Sequence, residues 1–172
     1  HQGVTQPVTL LGYSMGGAIG AAYAAKHPDR VAHLALIAPA GFGHDLGPIA
    51  DLAVKYNRLG RWFALGFYPK SLRRALEGER DLPTAIPVGV DLQIKETRLK
   101  GFAPAVLASL RGILDEDLAP AHAAIARAGL PVTAIWGEAD DVIPLPCKDI
   151  LADRIPQACQ TVVPGAGHAV TF

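Results

Sequence analysis

The sequence is poor in several features that would otherwise narrow its function. Only two of its 172 residues are cysteine, Cys147 and Cys159. Two thiols build no disulfide framework and cannot fill a four-ligand zinc site by themselves. They read as buried or semi-buried free thiols of a reducing, cytoplasmic compartment. An excess of one charge is lacking too, since 16 Lys+Arg meet 16 Asp+Glu. A nucleic-acid binder needs a basic excess to neutralise phosphates, and an anionic membrane surface calls for a basic stripe, so the balance argues against both. Long apolar runs are missing. The longest nearly unbroken one, Val31 to Phe42, contains His33 and Pro39 and falls short of the roughly 20 residues of a membrane span. No signal peptide is visible, and the chain begins at His1 rather than Met, so it is read as starting inside a larger protein. Apolar residues are plentiful: 50% are hydrophobic against 19% charged, which excludes a disordered chain. The length predicts one domain with room for an insertion.

Two stretches alternate short apolar runs with helical segments. In the first, Val8-Thr9-Leu10-Leu11 reads as a strand buried on both faces, and Gly12 to Gly17 as a turn. Ala18 to Lys26 then reads as a helix of small residues stopped at His27-Pro28, and Val31 to Ile37 as the next strand. In the second, Val132 to Trp136 is strand-like, Gly137 to Pro144 a polar loop, Leu145 to Arg154 a helix and Thr161 to Val163 a short strand. The loop Pro164-Gly165-Ala166-Gly167 leads to His168. Alternating strands and helices predict an α/β fold, a parallel sheet with helices on both faces. The middle differs. It holds most of the aromatics, Tyr56, Trp62, Phe63, Phe67, Tyr68 and Phe102, with helical signals and little strand alternation. Pro104 fits the first turn of a helix through Leu110, and Glu116 to Ala128 reads as a helix ended by Gly129. The domain reading is therefore a core of residues 1–40 and 129–172 interrupted by a helical insertion over 41–128.

Gly12-x-Ser14-x-Gly16 matches the nucleophile-elbow pattern. A serine between strand and helix is forced into a tight, strained turn. Small neighbours let strand and helix approach, and the hydroxyl projects above a helix amino terminus, whose N–H groups carry partial positive charge where an oxyanion would form. With three serines and 18 glycines in the chain, chance placement yields about 0.03 such matches. This one also has the context that the mechanism needs, after an apolar run and before a helix.

This strand, elbow and helix resemble the α/β-hydrolase fold family. Val8-Thr9-Leu10-Leu11-Gly12-Tyr13-Ser14-Met15-Gly16-Gly17 is similar to the family's fifth strand and elbow. Ile135-Trp136-Gly137-Glu138-Ala139-Asp140-Asp141-Val142-Ile143-Pro144 is similar to its acid loop, and Pro164-Gly165-Ala166-Gly167-His168 to its histidine loop. The order Ser, Asp, His is the family's. The resemblance covers nearly the whole chain, the middle only as a generic helical cap.

A serine hydroxyl needs a base within hydrogen-bond reach, and the base an orienting acid. His168 follows a short strand at the sheet end where Ser14 lies if the strands are parallel. His27 reads as a helix-terminal residue at the opposite end, His33 as structural, and His44 and His122 as exposed helix or loop positions in or beside the insertion; His1 is terminal. Spacing alone leaves Asp140 and Asp141 both open as the acid. By the resemblance it is the third residue after the loop glycine, Asp140, which would accept Nδ1–H of His168. The Met15 backbone N–H is expected to supply one oxyanion donor. In the family the second comes from a loop upstream of the elbow strand, which His1 to Pro7 cannot provide.

The resemblance implies a serine hydrolase, of the carboxylesterase or lipase kind, that cleaves a small-molecule carboxylic ester through an acyl-enzyme. Ser14, His168 and Asp140 would be its triad, with no metal and no organic cofactor. The insertion's aromatic and leucine content points to an apolar acyl or aryl group, unless those side chains simply form its own core. A carbon–carbon bond hydrolase of meta-cleavage type and a non-catalytic hydrolase-fold binding module are the alternatives. Oligomeric state is not legible. Family members carry further strands before the elbow strand, and here only seven residues precede Val8. The isolated segment is therefore expected to expose the elbow strand as an apolar edge, to be poorly soluble or dimerised through it, and to be inactive.

Overall fold

The computed structural model describes residues 3–43, 59–78, 80 and 88–170. The chain divides into two compact units, His1–His44 with Ile113–Thr171, and Asp45–Gly112 with Phe172.

The first unit is an α/β layer built on four parallel strands: β1 (Val8–Tyr13), β2 (Val31–Ile37), β3 (Val132–Gly137) and β4 (Cys159–Val163), side by side in that order. Helix α1 (Met15–Lys26) links β1 to β2. It ends where the residue before Pro28 cannot stay helical: His27 takes φ −136° and its N–H closes on the Tyr23 carbonyl at 2.9 Å. Register sets the two faces of the sheet, because side chains alternate along each strand. Leu34 pairs with Val132 and Leu36 with Ala134, and all four are buried. Ala18, Ala21 and Ala24 of α1 join them in one core with Trp136 and Leu151. The small side chains of α1 let its backbone lie close to the strands.

The opposite face is different. Thr9, Leu11 and Tyr13 lie there in register with His33, Ala35 and Ile37, and none of the six is buried. Leu11 is 63% exposed. Among the described residues β1 is the outer strand of the sheet and packs one face only, as expected of this segment by itself. Among the described residues the helices that pack on the sheet share the Leu34 face.

This unit also takes in Ile113 to Ala128, a stretch that the sequence reading assigned to the insertion. Helix α5 (Ala119–Arg127) explains why: it packs on α1, and its Ile125 is wholly buried in the sheet core. Helix α6 (Cys147–Arg154) lies against α5 in turn. Of the two thiols, Cys147 is buried and Cys159 exposed, the second against expectation. Cys159 opens β4 opposite Thr133, on the half-open face.

The second unit holds α2 (Leu59–Gly78), α3 (Gly89–Glu96) and α4 (Phe102–Leu110). Leu76, Ile94 and Leu107 are buried in it, and the Tyr68 and Phe102 rings stack with centroids 6.5 Å apart. Burial pushes the Tyr68 phenol above its usual value. Tyr56, His44 and the side chains of Trp62, Phe63 and Phe67 lie outside the described residues.

Candidate active site

Ser14 is the single residue between β1 and α1. It carries the whole reversal, with φ 51° and ψ −120°, a backbone state that costs a non-glycine residue about 1–3 kcal/mol. Three hydrogen bonds hold it there. Its N–H donates to the Ile37 carbonyl at 2.9 Å, and its own carbonyl accepts from Gly17 N–H at 2.9 Å and Ala40 N–H at 3.0 Å. Gly12 permits the turn: a Cβ at that position would stand 2.6 Å from the Gly16 carbonyl carbon and 2.7 Å from Gly17 Cα. Ala38, just past β2, is a second strained residue at φ 41°, tied by its N–H to the Ile135 carbonyl at 2.8 Å.

The loops after β3 and β4 meet at the same sheet end. Gly137 makes this possible, since a Cβ there would lie 2.5 Å from the carbonyl oxygens of Ala166 and Gly167. Ala139 N–H donates to the Ala166 carbonyl at 2.9 Å, and Gly165 N–H to Glu138 Oε2 at 2.8 Å. Asp140, its side chain only 1% exposed, accepts Val142 N–H at 2.9 Å and Ile143 N–H at 2.8 Å on Oδ1. Its Oδ2 lies 2.9 Å from His168 Nδ1. Across the ring, His168 Nε2 lies 2.9 Å from Ser14 Oγ. Both distances are those of good hydrogen bonds. A carboxylate only accepts, so Nδ1 carries the ring proton and Nε2 turns its lone pair to the hydroxyl. Asp141, left open by spacing, is exposed.

The structure thus brings Ser14, His168 and Asp140 into one line. Met15 opens α1, so its N–H lies in the first helical turn, which lacks intrahelical acceptors. One contact went unread in the sequence. Tyr13 donates its hydroxyl to the His168 carbonyl at 2.9 Å, and its ring centroid lies 5.3 Å from that of the imidazole. No spacing rule marks the variable position of an elbow motif for such a part.

The remaining histidines fall elsewhere. His27 contacts the Tyr23 ring at the far end of α1, and His33 Nε2 lies 2.9 Å from Thr133 Oγ1. His122 departs from its expected exposure: it is 1% exposed, its ring 5.3 Å from that of Phe42. Burial, reinforced by the Arg154 guanidinium, lowers its pKa to about 4. The signal was present, since Leu118, His122 and Ile125 recur at helical spacing on one face. Among the described residues no group of three His, Cys, Asp or Glu could hold a metal ion, and no helix is long and apolar enough to cross a membrane.

The model of the alpha/beta hydrolase fold family matches residues 2–172. The chain belongs to that family. It is 27% identical to Lipase 3 of Moraxella sp. (strain TA144) over 97% of this chain and 52% of the lipase. It is 29% identical to the pimeloyl-[acyl-carrier protein] methyl ester esterase of Chromobacterium violaceum, over 95% of this chain and 63% of that enzyme. The solved structure of a thermophilic esterase from Thermogutta terrifontis superposes with a TM-score of 0.66 at 26% identity, covering 98% of this chain and 60% of the esterase. The chain therefore spans about half to two thirds of the length of these relatives.

Proposed function

We propose that this hydrolase-fold chain carries the catalytic triad of a serine hydrolase that cleaves carboxylic esters through an acyl-enzyme. The observation that carries the reading is the line from Ser14 Oγ to His168 Nε2 and from His168 Nδ1 to Asp140 Oδ2, two contacts of 2.9 Å that start at a strained elbow. In this reading His168 takes the Ser14 proton as Oγ attacks the ester carbonyl, then hands it to the leaving alcohol. Asp140 holds the imidazole in the needed tautomer and stabilises the imidazolium. Met15 N–H, at the positive end of α1, receives the oxyanion. Water repeats the sequence on the acyl-enzyme and releases the acid. The scheme calls for no metal and no organic cofactor. The likeness to a lipase and a methyl ester esterase supports an ester as substrate.

A fluorophosphonate probe tests this directly. In the intact protein it is expected to label Ser14, and p-nitrophenyl esters of graded acyl length are expected to turn over with a preference for apolar acyl groups. A protein that is folded but resists the probe, or is labelled elsewhere, would overturn the assignment.

A further inference from the structure

We propose that Tyr13 is a positioning residue that keeps His168 over Ser14 when the serine no longer holds it. The proposal rests on the reading of Ser14 and His168 as nucleophile and base. It starts from topology. Ser14 follows β1 and His168 follows β4, and these strands are opposite edges of the sheet. The histidine loop must therefore return across the ends of β3 and β2. Its hydrogen bonds through Gly165 and Ala166 both tie it to Glu138 and Ala139, on the β3 side where Asp140 stands. Among the described residues two side chains on the β1 side reach His168, Ser14 through its hydroxyl and Tyr13 through its own.

These two contacts differ chemically. The Ser14 hydroxyl is consumed by the reaction: once Oγ bears the acyl group it has no proton to donate, and its bond to Nε2 is gone. The Tyr13 hydroxyl donates to a backbone carbonyl, which neither acylation nor protonation of the ring alters. In the acyl-enzyme Tyr13 is then the hydrogen bond that still ties His168 to the elbow strand. Deacylation needs the base in place. Water oxygen bonds to the acyl carbon while His168 takes a water proton. The acyl C–Oγ bond then breaks and that proton returns to Ser14 Oγ. The Tyr13 ring adds a second effect. Its centroid lies 5.3 Å from that of the imidazole, with the planes tilted by 30°, so it packs against the ring and limits its swing in either half-reaction. Hydroxyl and ring thus have separable roles, and the hydroxyl weighs more on deacylation.

The test uses Tyr13→Phe and Tyr13→Leu in the intact protein, with stopped-flow hydrolysis of p-nitrophenyl acetate normalised to fluorophosphonate-labelled sites. Tyr13→Phe keeps the ring. It is expected to slow deacylation about tenfold, the value of one neutral hydrogen bond, and to change acylation less than about threefold. A burst approaching one p-nitrophenol per site should appear, with kcat and KM falling together. Tyr13→Leu should slow both steps. Equal loss in both steps for Tyr13→Phe, or no loss, would overturn the proposal while leaving Ser14 as nucleophile. A burst that survives Ser14→Ala would overturn the reading of the site itself, and Tyr13 with it.

Discussion

Two histidines of the sheet unit sit in clusters with an aspartate, and their surroundings separate them completely. His168 stands between a carboxylate and a hydroxyl, half-buried, with 21% of its side chain exposed. His122 is buried beside a cation. Arg154 donates toward its Nδ1 at 3.5 Å and grips Asp117 with both terminal guanidinium nitrogens, at 2.6 and 2.9 Å. A base must reach the proton that it takes, and the ring nitrogens of His168 face a hydroxyl and a carboxylate. The Arg154 charge and the apolar contacts of His122 oppose protonation of that second ring. Residue type therefore does not identify a base; what its ring nitrogens face does.

The largest expected effect tests the active pair. Ser14→Ala or His168→Ala should each lower kcat by as much as about 10⁶-fold, and the double variant should lose little more, because the residues act as a unit. Steady-state kinetics on a p-nitrophenyl ester checks this. Losses that multiply would show that the two residues act independently. Asp140→Asn is expected to cost about 10⁴-fold in kcat by favouring the wrong tautomer of His168, with Asp141→Asn, at an exposed loop position, costing far less. The reverse ranking would move the acid role to Asp141.

The same comparison sharpens at His122, where pH is read on stability rather than on rate. Its folded pKa of about 4 lies below the ordinary value of 6.5, so between those values the unfolded chain binds the proton more readily than the native one. The stability linked to His122 is therefore fully present above about pH 6.5 and is lost as pH falls toward 4, by up to about 3 kcal/mol at roughly 1.4 kcal/mol per unit. Asp117 has its carboxyl held below the usual range by Arg154, so its own loss begins only below about pH 4. Urea midpoints of the protein and of His122→Leu, measured from pH 7 to 4.5, should diverge in slope over this window. Parallel curves would show that the buried ring titrates normally.

What was legible in the sequence follows the same division. Ser14, His168 and the Asp140-Asp141 pair were legible as neighbours because each follows a strand at the carboxyl end of a parallel sheet, and apolar runs mark strand ends well; the choice of Asp140 over Asp141 came from the family resemblance. The start of α1 was read three residues late. Ser14 completes the reversal alone, so the helix begins at Met15 where a longer turn was expected. His122 was misread because its helix was assigned to the insertion; the apolar spacing that buries it says nothing of which unit it joins. Tyr13 left no trace, since its partner is a backbone carbonyl 155 positions away, and main-chain acceptors carry no side-chain pattern.

The smallest effects concern the two glycines of the elbow motif, which the sequence pattern treats alike and the structure does not. A methyl at Gly12 meets the backbone of Gly16 and Gly17 within 2.7 Å, and backbone cannot swing aside as a side chain can. Gly12→Ala should therefore destabilise the protein by about 1–3 kcal/mol, the usual cost of overpacking, and disturb the serine with it. A methyl at Gly16 meets nothing within 4 Å among the described residues, and the residue sits inside α1 with no positive φ. There the substitution removes only the flexibility of the unfolded chain. Gly16→Ala should leave the fold intact and raise stability by about 0.5–1 kcal/mol, a rise of a few degrees in Tm by differential scanning calorimetry. If Gly16→Ala instead lost stability as Gly12→Ala does, the elbow would need open space at both positions. The close approach of strand and helix would then not be borne by Gly12 alone.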